Sequence, residues 1–405
     1  MNKFFLIQEK PYSYDEFVNC INSADGCISR YQETSLFHLY CNFIKALVHN
    51  VEVVLIDADI AENELSTLGI IDINTITKVG NDNFKNITEI IERIKESSSK
   101  ITFFTSGTTG QPKRVTHSTT SLNKNIRQAE RYQANIWGLA YNATHIAGIQ
   151  VFFQALYNEN TIVDLFNKRK DYIHNSIDKY QITHLSATPT FYRMMLDENK
   201  VFTSIKRVTF GGERSDQRLQ ARVLKMFPNG SINNIYASTE IGTLLVSKGE
   251  YFEIPSNLQP LIKIQDNELI VHNSLIGKFE NRIAEDDFFY TGDIVEWVDE
   301  DKIKFRFLRR KNELINVGGY NVNPGKIEEI ILEIESIENV VVFGKPNSVL
   351  GNILCCDIKL VKGAELKEAG VRNYLKDKVQ DYNIPRFIKF VDEIETTRTG
   401  KAKRS

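Results

Sequence analysis

A layered α/β fold, followed by a β-rich subdomain and a small α+β unit, is predicted by three observations on this chain. Between about residues 50 and 245, short β-branched and aromatic runs alternate with helical patterns. Gly-, Ser- and Thr-rich loops follow three of these runs, after Phe104, Phe210 and Ile235. Beyond residue 250 the pattern becomes strand-rich, and near 313 a new strand–helix alternation begins.

The elements follow in order. EVVLIDA (52–58) reads as a buried strand and KITFFTS (100–106) as another. Residues 118–134 carry an amphipathic helical pattern. TIVDLF (161–166) is a strand and DYIHNSIDKY (171–180) a helix. THLSATPT (183–190) runs from strand to loop, and the helix TFYRMMLDEN follows. IKRVTFGGE (205–213) and SINNIYAST (231–239) are strands that end in loops. ELIVHNS, FFYTGDIVEWV and KIKFRFL supply the β-rich part. The last unit holds helices at 324–335 and 368–381 and strands at 339–344, 353–360 and 386–391. A chain of 405 residues exceeds one ordinary core. Two domains are expected, residues 1–310 and a small mobile lid at 311–405, with a hinge near Arg310 to Glu313.

Composition narrows the function. Apolar residues make up 42% and charged residues 25%, as in ordinary globular proteins. The net charge of −2 gives no global attraction to nucleic acid or anionic lipid. The apolar run Phe4 to Ile7 is too short for a signal-peptide core or a membrane span. Five cysteines without CxxC spacing support neither a zinc site nor a disulfide framework. Cys355 and Cys356, in ILCCDIKL, read as small core residues, and a reducing cytoplasm is the expected setting.

The densest chemistry lies in Thr105-Ser106-Gly107-Thr108-Thr109-Gly110-Gln111-Pro112-Lys113. Glycines let backbone approach phosphate oxygens, while hydroxyls and N–H groups donate to them. No GK[ST] follows the glycines, so ordinary P-loop chemistry is disfavoured. Gly211-Gly212-Glu213 closes another strand. Tyr236-Ala237-Ser238-Thr239-Glu240 ends a third, offering an aromatic face for a base and a carboxylate for Mg²⁺. Tyr290-Thr291-Gly292-Asp293 is a turn after a strand, where Asp is often only a turn-former. Arg310 opens RKNELINVGGYN, and Thr396-Thr397-Arg398-Thr399-Gly400-Lys401 precedes a basic end, KAKRS.

In this order these segments resemble the signatures of the adenylate-forming superfamily, which includes acyl-CoA synthetases, aryl-CoA ligases, luciferases and non-ribosomal adenylation domains. The resemblance runs from about residue 100 to the end and looks like a compact member with a short N-terminal region. It implies that Thr105, Ser106, Gly107, Thr108, Thr109, Gly110 and Lys113 cradle the phosphates of ATP. Tyr236 would pack on adenine, beside Gly211, Gly212 and Glu213. Thr239 would contact the α-phosphate, and Glu240 with Thr108 would hold Mg²⁺. Asp293 and Arg310 would bind the ribose, and Asn312 would be the hinge. Gly318 and Gly319 would line a thiol tunnel, and Lys401 would bridge carboxylate and α-phosphate. The sequence departs from the pattern at Ala237 (usually Gly), Asn312 (usually Asp or Lys) and Asn316 (often Lys), and the proline of the last motif is missing.

The implied reaction is ATP-dependent activation of a carboxylic acid as acyl-AMP, then transfer to CoA or to the phosphopantetheine of a separate carrier protein. Ala143 to Gly148 resembles the His-containing segment before the acyl pocket, so His145 and Ile149 are expected there, with Phe152, Phe153 and Ser186 to Pro189 as apolar lining. No acidic residue occurs between Ala134 and Tyr157, which disfavours an α-amino acid. A non-catalytic nucleotide-binding protein is the competing class. Lys401, Glu240, Asp293 and Arg310 together argue against it.

Overall fold

A computed structural model describes residues 4–105, 113–279, 287–301, 303–348 and 350–404. The chain folds as a large N-terminal α/β domain and a small C-terminal domain. The largest sheet has eight strands, in the order Gly242–Ser247, Ser231–Ser238, Arg207–Gly211, His184–Ala187, Ile136–Leu139, Thr161–Asp164, Phe4–Ile7 and Pro11–Ser13. The inner six are parallel, and both edge strands are antiparallel. Parallel neighbours need crossovers, supplied here by helices such as Lys170–Tyr180, Pro189–Met195 and Gln217–Met226. Thr188 and Asp216 cap the latter two helices through their side chains. Val163, Leu185, Val208 and Phe210 are fully buried between sheet and helices, which is why these strands read as continuous apolar runs.

A second sheet runs Lys278–Phe279, Lys113–Ser118, Lys100–Thr105, Val53–Leu55 and Arg30–Tyr31. Lys100–Thr105 and Lys113–Ser118 pair antiparallel with Thr105 opposite Lys113, so the Gly/Thr-rich segment joins two hairpin strands. Residues 106–112 themselves lie outside the described residues. The third sheet is antiparallel and orders Phe252–Glu253, Lys304–Arg310, Phe288–Trp297, Glu268–His272 and Ile262–Gln265.

The C-terminal domain is built on Ile315–Val317, Tyr320–Val322, Ile337–Asn347, Gly351–Leu360 and Phe387–Phe390. Helices Pro324–Ile331 and Glu368–Lys376 bury Ile331, Val371 and Leu375 against that sheet. Adjacent Cys356 and Cys355 alternate into two apolar clusters on opposite sides of the strand.

One helix is shorter than its pattern. The 118–134 segment is helical only over Thr119–Asn123, with a single 3₁₀ turn at Glu130–Tyr132. The intervening backbone is bonded to side chains of another helix instead: Gln154 holds both the N–H and the carbonyl of Arg127, and Asn158 donates to that carbonyl. Among the described residues, no helix is long and apolar enough to cross a membrane.

Candidate active site

The carboxyl ends of parallel strands are where an open α/β sheet presents loops to a ligand. Strand Arg207–Gly211 ends in Gly212, whose φ of +83° is a left-handed conformation that favours glycine. A Cβ on Gly211 would come within 2.9 Å of the Tyr141 hydroxyl, so this edge is closely packed. The next residue, Glu213, spans two segments. Its Oε2 accepts from the N–H of Thr190 at 3.1 Å, and its Oε1 from the N–H of Ala402 at 3.0 Å.

Ala402 follows Lys401, so the chain's last turn docks onto this sheet end. Thr188 Oγ1 donates to the carbonyl of Gly400 at 2.8 Å. Within the turn the Thr397 N–H donates to the Lys401 carbonyl at 2.8 Å, and Gly400 takes φ +73°. Lys401 leaves part of its side chain exposed, while its stem lies against Gly212. Desolvation lowers its ammonium pKa from the ordinary lysine value, Glu213 opposes this, and Arg310 adds to the lowering.

Asp293 is the second focus. It is 7% exposed, in strand Phe288–Trp297. Its Oδ2 accepts from the Tyr236 hydroxyl at 2.6 Å, and its Oδ1 from Arg310 Nε at 2.8 Å. A carboxylate offers about four acceptor positions, so two donors leave capacity for more. Desolvation and then the negative Asp293 push the Tyr236 phenol well up, which keeps it a donor. Desolvation works to lower the Arg310 pKa, but Asp293 outweighs it and raises the guanidinium. The Tyr236 ring stacks on Phe307 with centroids 4.3 Å apart.

The turn before Asp293 is braced from below. The Gly292 N–H, at φ +76°, donates to Glu268 Oε1 at 2.8 Å, and Thr291 Oγ1 donates to the Leu269 carbonyl at 2.7 Å. Glu268 is 5% exposed and also meets Lys311 Nζ at 3.3 Å.

The Thr239–Glu240 corner is held by main-chain contacts. The Glu240 carbonyl accepts from the Gly277 N–H at 2.7 Å. His117 Nε2 lies 2.7 Å from the Thr239 carbonyl, so it is the protonated nitrogen in that bond. Burial lowers the His117 pKa, consistent with a neutral ring. The Glu240 carboxylate is half-buried and makes no hydrogen bond or ion pair to the described residues. No group of three metal-binding side chains exists among the described residues. A half-buried carboxylate without a protein partner among the described residues has the hard oxygen chemistry that Mg²⁺ prefers.

In the segment expected to precede an acyl pocket, His145 Nε2 meets Asp57 Oδ2 at 3.2 Å, and Asn142 Nδ2 donates to Asp57 Oδ1 at 3.0 Å. Thr144 Oγ1 also donates to Asp57 Oδ1. Burial tends to raise the Asp57 pKa, but these bonds and the charge of His145 hold it below the usual range. The 134–157 stretch thus has an acidic neighbour after all, supplied by another strand end. Ile149, Phe152 and Phe153 do not line an opening. They are 1%, 0% and 0% exposed, and Phe152 stacks on Tyr40 at 3.9 Å within the core.

Ser106, Gly107, Thr108, Thr109 and Gly110 lie outside the described residues, Thr105 ends its strand, and Lys113 is exposed. Asn312 sits exposed in the 3₁₀ turn Lys311–Glu313. Gly318 and Gly319, at φ +57° and +89°, form the two-residue turn between Ile315–Val317 and Tyr320–Val322. Two consecutive positive φ values are what a type I′ hairpin requires.

The family described as AMP-binding enzyme matches residues 44–264, more than half of the chain, and the AMP-binding enzyme C-terminal domain matches residues 326–401. This chain belongs to the AMP-binding enzyme family.

Among relatives of this AMP-binding enzyme, 4-hydroxybutyrate–CoA ligase 1 of Metallosphaera sedula is 28% identical over 358 residues, 75% of this chain and 61% of that protein. The mitochondrial acyl-coenzyme A synthetase ACSM4 of Mus musculus is 25% identical over 357 residues, 75% of this chain and 59% of that protein. The chain thus spans about three-fifths of these relatives' length. The fold matches o-succinylbenzoate CoA synthetase (MenE) from Bacillus subtilis, solved in complex with an acyl-adenylate intermediate, with TM-score 0.70 and 19% identity, covering 99% of this chain and 94% of that one.

His117, Glu268 and Asp57 contact the candidate site, and the motifs did not single them out. Each had a signal. His117 alternates with Val115 on the buried face of a strand, Glu268 is an acid opening an apolar strand, and Asp57 follows the carboxyl end of Val53–Leu55.

Proposed function

We propose that the chain is an ATP-dependent acid–thiol ligase that activates an aryl or aliphatic carboxylic acid as acyl-AMP and then transfers the acyl group to CoA. The observation that carries this reading is Lys401, set against Gly212 and within the electrostatic reach of Glu213, Arg310 and Asp293. A cation brought by the smaller domain to the sheet's carboxyl edge is suited to charge that develops during adenylation. The CoA-ligase names of the relatives support the same class.

In the first half-reaction a carboxylate oxygen attacks the α-phosphorus of ATP, and the bond to pyrophosphate breaks. Lys401 offsets negative charge on the carboxylate and α-phosphate oxygens. Asp293 uses its remaining acceptor capacity for the ribose hydroxyls, with Arg310 fixing the carboxylate. Tyr236, Gly211 and Gly212 border the adenine, and Thr239 donates to the α-phosphate. Mg²⁺, held by Glu240 and Thr108, would supply charge neutralisation on the phosphates.

In the second half-reaction a thiolate sulfur attacks the acyl carbon, and the bond to the AMP oxygen breaks. Lys401 must first withdraw, which requires the small domain, residues 311–405, to turn about Asn312. Gly318 and Gly319 then border the thiol's route. CoA is the proposed acceptor because the relatives are named for it. The five cysteines are free, which supports a reducing compartment such as the cytoplasm.

The test is pyrophosphate–ATP exchange over a panel of aliphatic, aryl and amino acids. We expect exchange with one or more non-amino acids, and silence with every acid would sink the ligase reading. Thioester formation with CoA but not with holo-carrier protein is the expected second result, and the reverse would reassign the acceptor.

A further inference from the structure

We propose that Arg398 is a latch that holds the Lys401 turn in its adenylating position by gripping Asp59 and Glu64 of the large domain. Arg398 Nε donates to Asp59 Oδ2 at 3.0 Å. Its two terminal nitrogens reach both oxygens of Glu64, at 2.5 and 3.1 Å. A guanidinium fork on a carboxylate fixes the geometry of the pair through two parallel bonds. The bond to Glu64 raises the arginine pKa above its ordinary value; desolvation opposes this, and the bond to Asp59 adds to the rise.

The position of Arg398 makes this pair matter. It sits at the tip of the turn closed by the Thr396–Ala402 bridge, three residues before Lys401. The backbone of the same residue is held too: the Asn142 amide donates to the Arg398 carbonyl at 3.3 Å. Asn142 also donates to Asp57, the partner of His145. The acid-side cluster and the lysine turn therefore share one short network, running from Asp57 through Asn142 to Arg398. Glu64 lies on helix Glu62–Thr67, just after that strand end.

The ion pairs are partly exposed, with Arg398 at 39%, Asp59 at 66% and Glu64 at 36%. Exposed pairs are weak and screened by salt. That weakness suits a latch that must open once per turnover, whereas a deeply buried pair would hold the lysine in place after adenylation. Arg398 is a positioning residue that acts through Lys401.

The catalytic arm of this proposal rests on the acyl-adenylating reading, and the docking arm does not. Arg398→Ala and Glu64→Gln are compared with the parent in the full-length chain. Hydrogen–deuterium exchange should quicken about two- to fivefold over residues 395–402 in both variants, and in the parent when salt is raised from about 50 to 500 mM. Pyrophosphate exchange should fall about two- to fivefold, while CoA thioester formation from a supplied acyl-adenylate stays at the parent rate. Arg398→Glu combined with Glu64→Arg should recover part of the loss. Unchanged amide exchange in both variants, or equal loss of the two half-reactions, would overturn the latch. If the parent shows no pyrophosphate exchange, the ligase reading fails and amide exchange alone decides the latch. If Arg398→Ala does not fold, Glu64→Gln carries the same decision.

Discussion

A Cβ placed on Gly212 would lie 3.5 Å from Cε of Lys401, so a glycine at the end of a core strand and a lysine at the end of the chain meet across the domain boundary. The contact leaves little room for a branched side chain. Gly212 also holds φ at +83°, which costs an L-residue about 1 kcal/mol or more. Gly212→Val should lower thermal stability by that order and slow pyrophosphate exchange at least tenfold, by displacing Lys401. Thioester formation from supplied acyl-adenylate should change far less, because in the proposed mechanism Lys401 has withdrawn by then. Equal slowing of both steps would contradict this placement of the contact.

Lys401 itself has a pH signature. Its depressed pKa means that the proton leaves at a lower pH than from an ordinary lysine. In the proposed mechanism adenylation uses the charged form, so its rate should fall as pH rises through that depressed value. Lys401→Arg keeps the charge at all accessible pH, and its residual adenylation should lack this alkaline limb. Lys401→Ala should lose about 10²–10³-fold in adenylation at every pH. A pH–rate profile of pyrophosphate exchange for the three proteins reads this directly.

Asp293, the carboxylate proposed to bind the ribose, separates binding from stability. Asp293→Ala removes the acceptor of both Tyr236 and Arg310 and should raise KM for ATP by about 10²-fold, with a smaller change in kcat. Tyr236→Phe deletes one bond and keeps the stack on Phe307. It should cost about 1 kcal/mol of stability and raise KM only a few-fold. Steady-state titration of ATP and thermal melts distinguish the two. A kcat loss without a KM change in Asp293→Ala would remove Asp293 from ATP binding.

Much of this architecture was legible because buried parallel strands write themselves as apolar runs. Val208 and Phe210, Leu185, and Val163 each mark a strand of the main sheet, and loops with unusual composition follow the strand ends. What stayed hidden is long-range pairing. Asp57 and His145 are 88 residues apart, so nothing local announces their bond. His117 and Thr239 meet only because two sheets converge. The aromatic residues of helix Ile146–Leu156 were ambiguous for a different reason. The helix buries most of its residues, so hydrophobicity alone does not say which face meets core and which meets a pocket. The 118–134 helix failed because Gln154 and Asn158 satisfy that backbone from outside.

Glu328 gives the small domain a pH dependence of its own. It lies on helix Pro324–Ile331, accepts from the Val342 N–H at 2.8 Å and pairs with Arg404 at 2.7 Å. Desolvation raises its pKa to about 7, with Arg404 and the Val342 bond opposing and Glu213 of the large domain adding to the rise. A carboxyl whose folded pKa exceeds its unfolded one binds more protons when folded, so stability falls as pH rises between the two values. The window here runs from about 4.5 to about 7. Above it the charged carboxylate costs at most about 3 kcal/mol relative to the protonated form, the equivalent of the shift at 1.36 kcal/mol per unit. Glu328→Gln mimics that protonated form and still accepts from Val342. Its melting temperature should therefore exceed the parent's at pH 8, and the difference should shrink as pH is lowered toward 5. A melting difference independent of pH would show that Glu328 does not titrate in this window.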